Sequence, residues 1–127
     1  VVWGSGKPRR ELLHVDDLAR ACLVLLDERA RTRPERDVRA GDVGPINVGT
    51  GEDVSIAELA ETVARVVGFE GVIRYDASKP DGTPRKLLDV TRMSALGFAP
   101  RIPLEQGVRE TYAWFLEHVA PSLGAPA

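Results

Sequence analysis

The sequence is poor in the features that usually declare a function at once. It holds one cysteine, Cys22, in 127 residues. A lone thiol forms no internal disulfide and anchors no cysteine metal cluster, and it suits a cytosolic protein. Positive charge is not in excess: seventeen Lys and Arg face nineteen Asp and Glu, for a net charge of −2. A bulk electrostatic binder of nucleic acid needs a basic surplus, so that class is excluded. No apolar run approaches the ~18 residues of a membrane span, and no basic-then-apolar leader is present. What is there is globular: 43% hydrophobic and 28% charged, far from the composition of disordered chains. The length is about one domain and buries roughly two-thirds of its unfolded surface. The chain opens on Val1-Val2-Trp3 and its sole methionine is Met93, so it is expected to be a piece of a longer protein.

Turn chemistry and periodicity divide the chain. Val1–Trp3, the turn Gly4-Ser5-Gly6-Lys7-Pro8 and Arg9–Val15 read as a β-hairpin. Residues 16–31 read as a helix capped by Asp16, with Leu18, Ala21, Cys22 and Leu25 on one face, stopped at Thr32-Arg33-Pro34. Residues 32–44 read as a charged surface loop. A strand at Pro45–Val48 leads into Gly49-Thr50-Gly51. Ser55 and Glu58 spell a capping box for a helix running to Val67, with Ile56, Leu59, Ala60, Val63 and Val67 as its stripe and Gly68 beyond its end. Val72–Tyr75 reads as a strand, 76–86 as a polar loop, and a short helix capped by Asp89 or Thr91 ends at Gly97. A last helix covers Leu104–Val119, with Leu104, Val108, Thr111, Tyr112 and Phe115 on one face. Residues 1–120 form the folded part and 121–127 a flexible tail. Few strands and many loops suit a small α/β lobe, not a full doubly wound sheet.

Several motifs begin a known chemistry without completing it. Gly4-Ser5-Gly6 and Gly49-Thr50-Gly51 start like phosphate loops, but Arg9 and Val54 stand where G-x-G-x-x-G needs its third glycine. Both read as tight turns. Tyr75 and Lys79 have the Y-x-x-x-K spacing, yet Tyr75 ends a strand and Lys79 precedes Pro80, which forbids the helix that would align them. His14 reads as a packed structural histidine, and Cys22 as a small core residue. Asp16 and Asp17 read as helix-capping acids. No metal-ligand set is present.

Two cation-rich turns remain. One holds Trp3, Lys7, Arg9 and Arg10; the other is Ser78–Lys86, with Lys79, Asp81, Arg85 and Lys86. Arginine forks fit diphosphate oxygens, a tryptophan face takes a base or sugar, and a carboxylate accepts from sugar hydroxyls. A solvated basic turn is the plain alternative.

These residues carry a resemblance. VWGSGKPRRELLHVDDLA and INVGTGEDVSIAELAETVARVVGF resemble the substrate-binding lobe of extended short-chain dehydrogenases. DASKPDGTPRKLLDVTRMSALGF resembles one family among them, the GDP-L-fucose synthases, and IPLEQGVRETYAWFLE fits the same family. These enzymes are 3,5-epimerases and 4-reductases of GDP-4-keto-6-deoxy-D-mannose. The resemblance implies a C-terminal, GDP-sugar-binding lobe lacking most of the Rossmann domain. It places Trp3, Arg10 and Asp81 at substrate-binding positions, with Lys86 and Arg85 near the nucleotide. It implies NADP bound upstream, catalytic residues upstream, no turnover by this chain alone, and a homodimeric, cytoplasmic full-length protein that binds neither nucleic acid nor membrane. Other readings are the lobe of another nucleotide-sugar epimerase or dehydratase, or a non-catalytic sugar-nucleotide module.

Overall fold

The computed structural model describes residues 1–27 and 45–123. The charged loop expected over 32–44, the end of the first helix and the last four residues of the expected tail lie outside them. The chain divides into two compact units, residues 1–8, 55–84 and 102–127 in one, residues 9–54 and 85–101 in the other.

In the first unit, strand β1 (Val2–Trp3) pairs in parallel with β4 (Tyr75–Asp76), matching Val2 to Tyr75 and Trp3 to Asp76. The expected hairpin is therefore corrected. The first arm pairs across more than seventy residues of sequence, and the second arm belongs to the other unit. The glycine turn does not fold β1 back on the next strand because its backbone is used elsewhere. The carbonyls of Gly6 and Pro8 accept from the N–H groups of Ala57 and Ile56, which are among the donors a helix start leaves open.

Those donors open helix α2 (Ile56–Val67), whose capping box is complete. Ser55 Oγ accepts from the Glu58 N–H, Glu58 accepts from the Ser55 N–H, and Gly68 takes the left-handed conformation at the end. The apolar stripe expected on α2 is there, but no residue of the helix is fully buried. With Val2, Val72 and Ile73, the stripe lines an apolar groove of about 400 Å³. Helix α4 (Leu104–His118) packs on α2, and Arg65 donates to Glu105 at 2.8 Å. A 3-10 turn follows at Ala120–Leu123, with Ala120 buried, so residues 121–123 of the expected tail are structured.

In the second unit, β2 (Arg9–Arg10) pairs in parallel with β5 (Arg85–Lys86). The sheet order is β3-β2-β5, with β3 at Val54–Ser55, where the chain leaves the unit. Helix α1 spans Val15–Leu26. His14, not Asp16, is its N-cap, and the ring Nδ1 accepts from the Asp16 N–H at 3.3 Å. The buried side of α1 is turned about one residue from the expected face. Ala21 is buried with Val24 and Leu25 against Met93 and Phe98, whereas Leu18 and Cys22 are exposed. Asp17 is a second correction. It is fully buried, takes an ion pair from Arg20, and accepts the Arg101 N–H at 2.9 Å. A charge so buried needs such partners. Helix α3 (Thr91–Ala95) follows Asp89, whose carboxylate accepts the Thr91 N–H. Pro45–Val48 forms no strand, but Ile46 and Val48 pack on the core cluster. The small α/β composition expected from sequence is what the structure holds.

Candidate functional site

The candidate residues fall into two groups, one in each unit. In the first unit Trp3 is 74% exposed at the end of β1, and the Lys79 ammonium lies 5.6 Å from its ring centroid. That is cation–π distance. Asp81 sits beside the following turn. Its carboxylate takes the Ser5 N–H at 2.7 Å and the Ser5 Oγ at 2.6 Å. These bonds, with the Lys7 charge, hold its pKa below the ordinary carboxylate value; the hydroxyl bond is the largest cause. Gly4 makes the approach possible. Its φ is +84°, and a Cβ there would come within 2.4 Å of Asp81 Oδ1, so both conformation and space call for glycine. Each carboxylate oxygen keeps further acceptor capacity toward a ligand.

In the second unit, the parallel register matches Arg9 to Arg85 and Arg10 to Lys86. Side chains alternate faces along a strand. Arg9 and Arg85 share one face, and both meet Asp53. Arg9 Nε donates to Oδ1 at 2.7 Å, Arg9 Nη2 to the Asp53 carbonyl at 2.7 Å, and Arg85 Nε to Oδ2. The Asp53 side chain is only 5% exposed. The Arg85 bond first and the Arg9 bond second hold its pKa below the usual range. Arg10 and Lys86 share the opposite face. Arg10 Nη1 donates to the Arg9 carbonyl at 2.6 Å, and Lys86 is exposed.

The sequence singles out Trp3, Arg10, Asp81, Arg85 and Lys86 as candidates, and the structure adds the residues that hold three of them. Ser5, Lys79 and Asp53 are those residues. Lys79 was visible as a cation of the polar loop; nothing local marks Asp53 as the partner of two arginines far away in sequence.

Neither glycine turn fits a dinucleotide. At Gly49-Thr50-Gly51 the anion position is filled from within: Glu11 accepts the Gly51 N–H at 2.7 Å and the Leu88 N–H at 2.9 Å, and a Cβ on Gly49 would come within 2.3 Å of its carboxylate. At Gly4–Gly6 the backbone caps α2 and cradles Asp81. Tyr75 and Lys79 lie on a strand and the turn after it, with no helix to align them.

Residues 1–41 match the NAD dependent epimerase/dehydratase family. The chain is 53% identical over 93% of its length to the GDP-L-fucose synthase of Escherichia coli, and 49% identical over 94% to GDP-L-fucose synthase 1 of Arabidopsis thaliana. It covers 36% and 33% of those two proteins. A GDP-L-fucose synthetase from Naegleria fowleri, solved with NADP bound, superposes with a TM-score of 0.75 at 31% identity, over 91% of this chain and 34% of that one. The chain is thus similar to the GDP-L-fucose synthases over nearly all of its own length, and it spans about a third of the length of the curated relatives it matches.

Proposed function

We propose that this chain is the GDP-sugar-binding part of a GDP-L-fucose synthase, an enzyme that epimerises GDP-4-keto-6-deoxy-D-mannose at C3 and C5 and reduces it at C4. The observation that carries the reading is the β2–β5 register, which makes Arg10 and Lys86 partners on one face of the ladder. Two neighbouring cations on one face suit the paired charges of a diphosphate. Trp3 offers a flat exposed face to a base or sugar, and Asp81 accepts from hydroxyl groups. Arg85, on the opposite face and bound to Asp53, is assigned no direct contact with the diphosphate.

The role of the chain is to bind and orient. Holding remote parts of a substrate in place lowers the barrier at the reacting carbons. The reduction draws on NADP, which its glycine turns do not fit, so no hydride step is assigned to these residues. The lone exposed thiol of Cys22 suits a cytoplasmic setting, and the whole enzyme is proposed to be a homodimer.

Calorimetric titration of GDP into the chain, with UDP as the control, tests the reading. GDP binding that exceeds UDP binding and weakens in Arg10→Ala supports it. Equal or stronger binding of UDP turns the assignment toward another nucleotide-sugar epimerase or dehydratase.

A further inference from the structure

We infer that Asp53 is a positioning residue, which sets the Arg10–Lys86 pair by clamping the two arginines on the opposite face of the same strands; this rests on the proposed anion-binding role of that pair. Strands β2 and β5 are two residues long. A ladder so short contributes little to fix its own register. It is also crowded with like charge, since all four of its side chains are cationic: Arg9, Arg10, Arg85 and Lys86. Like charges set opposite one another disfavour such a pairing.

Asp53 opposes this from one side. Its two carboxylate oxygens each take one guanidinium Nε–H, from Arg9 and from Arg85, and its carbonyl takes Arg9 Nη2. Among the described residues, Glu11 is committed to the Gly51 and Leu88 N–H groups. Asp53 bridges the two strands through their side chains. Because Arg9 and Arg85 are register partners, tying them to one carboxylate also makes their next neighbours, Arg10 and Lys86, register partners. The acid sits on the face of the strands opposite Arg10 and Lys86.

The probe is inorganic pyrophosphate, the diphosphate without base or sugar, titrated into the chain by calorimetry. Asp53→Asn is expected to weaken its binding roughly tenfold, the usual scale for removing a group that orients a ligand-binding side chain. Arg9→Lys keeps every charge but loses the planar fork, and it is expected to weaken binding in the same direction. It also serves where Asp53→Asn fails to fold. In a chain carrying Arg10→Ala and Lys86→Ala, the further change Asp53→Asn is expected to cost nothing more, because the groups it positions are gone. The ¹⁵Nε–H signals of Arg9 and Arg85 are expected to exchange slowly with water in the wild type and to lose that protection in Asp53→Asn. Pyrophosphate binding that is absent in the wild type, unchanged in both single variants, or equally reduced by Asp53→Asn in the doubly substituted background overturns the inference. Pyrophosphate binding that follows the clamp without selectivity for GDP over UDP leaves it standing and overturns the GDP-sugar reading instead.

Discussion

Ser5 holds Asp81 with two hydrogen bonds, from its backbone N–H at 2.7 Å and its hydroxyl at 2.6 Å, although 76 residues separate the two in sequence. The loop acid is thereby held as a fixed acceptor against the glycine turn that follows Trp3. The same pair ties the polar loop to the glycine turn, so binding and local stability share one contact.

That contact has a pH signature. The folded pKa of Asp81 lies below its ordinary value. Its contribution to stability is therefore complete above the unfolded carboxylate pKa of about 3.9 and is lost as pH falls through the folded value. Ser5→Ala removes the largest cause. The variant is expected to melt below the wild type at neutral pH, with the gap closing on acidification, and the Asp81 carboxyl signal is expected to titrate at a higher pH by NMR. A Gly4→Ala chain, which needs a left-handed alanine pressed on Asp81, is expected to lose about 1 kcal/mol or more.

Asp17 makes a second prediction. It is completely buried, paired with Arg20 and bonded to the Arg101 N–H, while the Arg20 guanidinium lies 5.7 Å from the Phe98 ring centroid. Asp17→Ala leaves a backbone donor unsatisfied and a cation unpaired beside the core of its unit. The expected loss is about 3 kcal/mol, read from urea denaturation. Asp16→Ala, at an exposed neighbour, is expected to change stability by less than about 0.5 kcal/mol.

The groove along α2 predicts surface behaviour. Val63 is 38% exposed and Val72 77% exposed beside it. An apolar face left open in this way binds hydrophobic dyes and promotes association. The chain is expected to enhance ANS fluorescence, and Val63→Glu to reduce both that signal and the rate of aggregation on warming. An unchanged dye signal would locate the sticky surface elsewhere.

Catalysis gives a fourth. Both glycine turns spend their backbone groups on partners within the chain, and Tyr75 and Lys79 share no helix face. Incubated with NADPH and GDP-4-keto-6-deoxy-D-mannose, the chain alone is expected to consume no NADPH at 340 nm. Measurable consumption would mean that a hydride-donor site forms from these residues after all.

The sequence by itself determined the parts whose physics is local. The capping box of Ser55 and Glu58, the left-handed Gly68 and the helices at 56–67 and 104–118 depend on residues three or four positions apart, and their spacing was readable. So were the cation-rich turns and the incomplete glycine motifs. Tertiary structure alone decided which strand pairs with which, which acid is buried and which arginine is a clamp. Two-residue strands carry too little pattern to name a partner, so β1 was read as half of a hairpin when it pairs with β4. An aspartate looks the same in sequence whether it caps a helix, as Asp16 was read, or is buried under an arginine, as Asp17 is. Asp53, Glu11 and Asp81 take their meaning from donors 32 to 77 residues away. Folding brings those donors close because a buried or clustered charge must find a partner once water is removed.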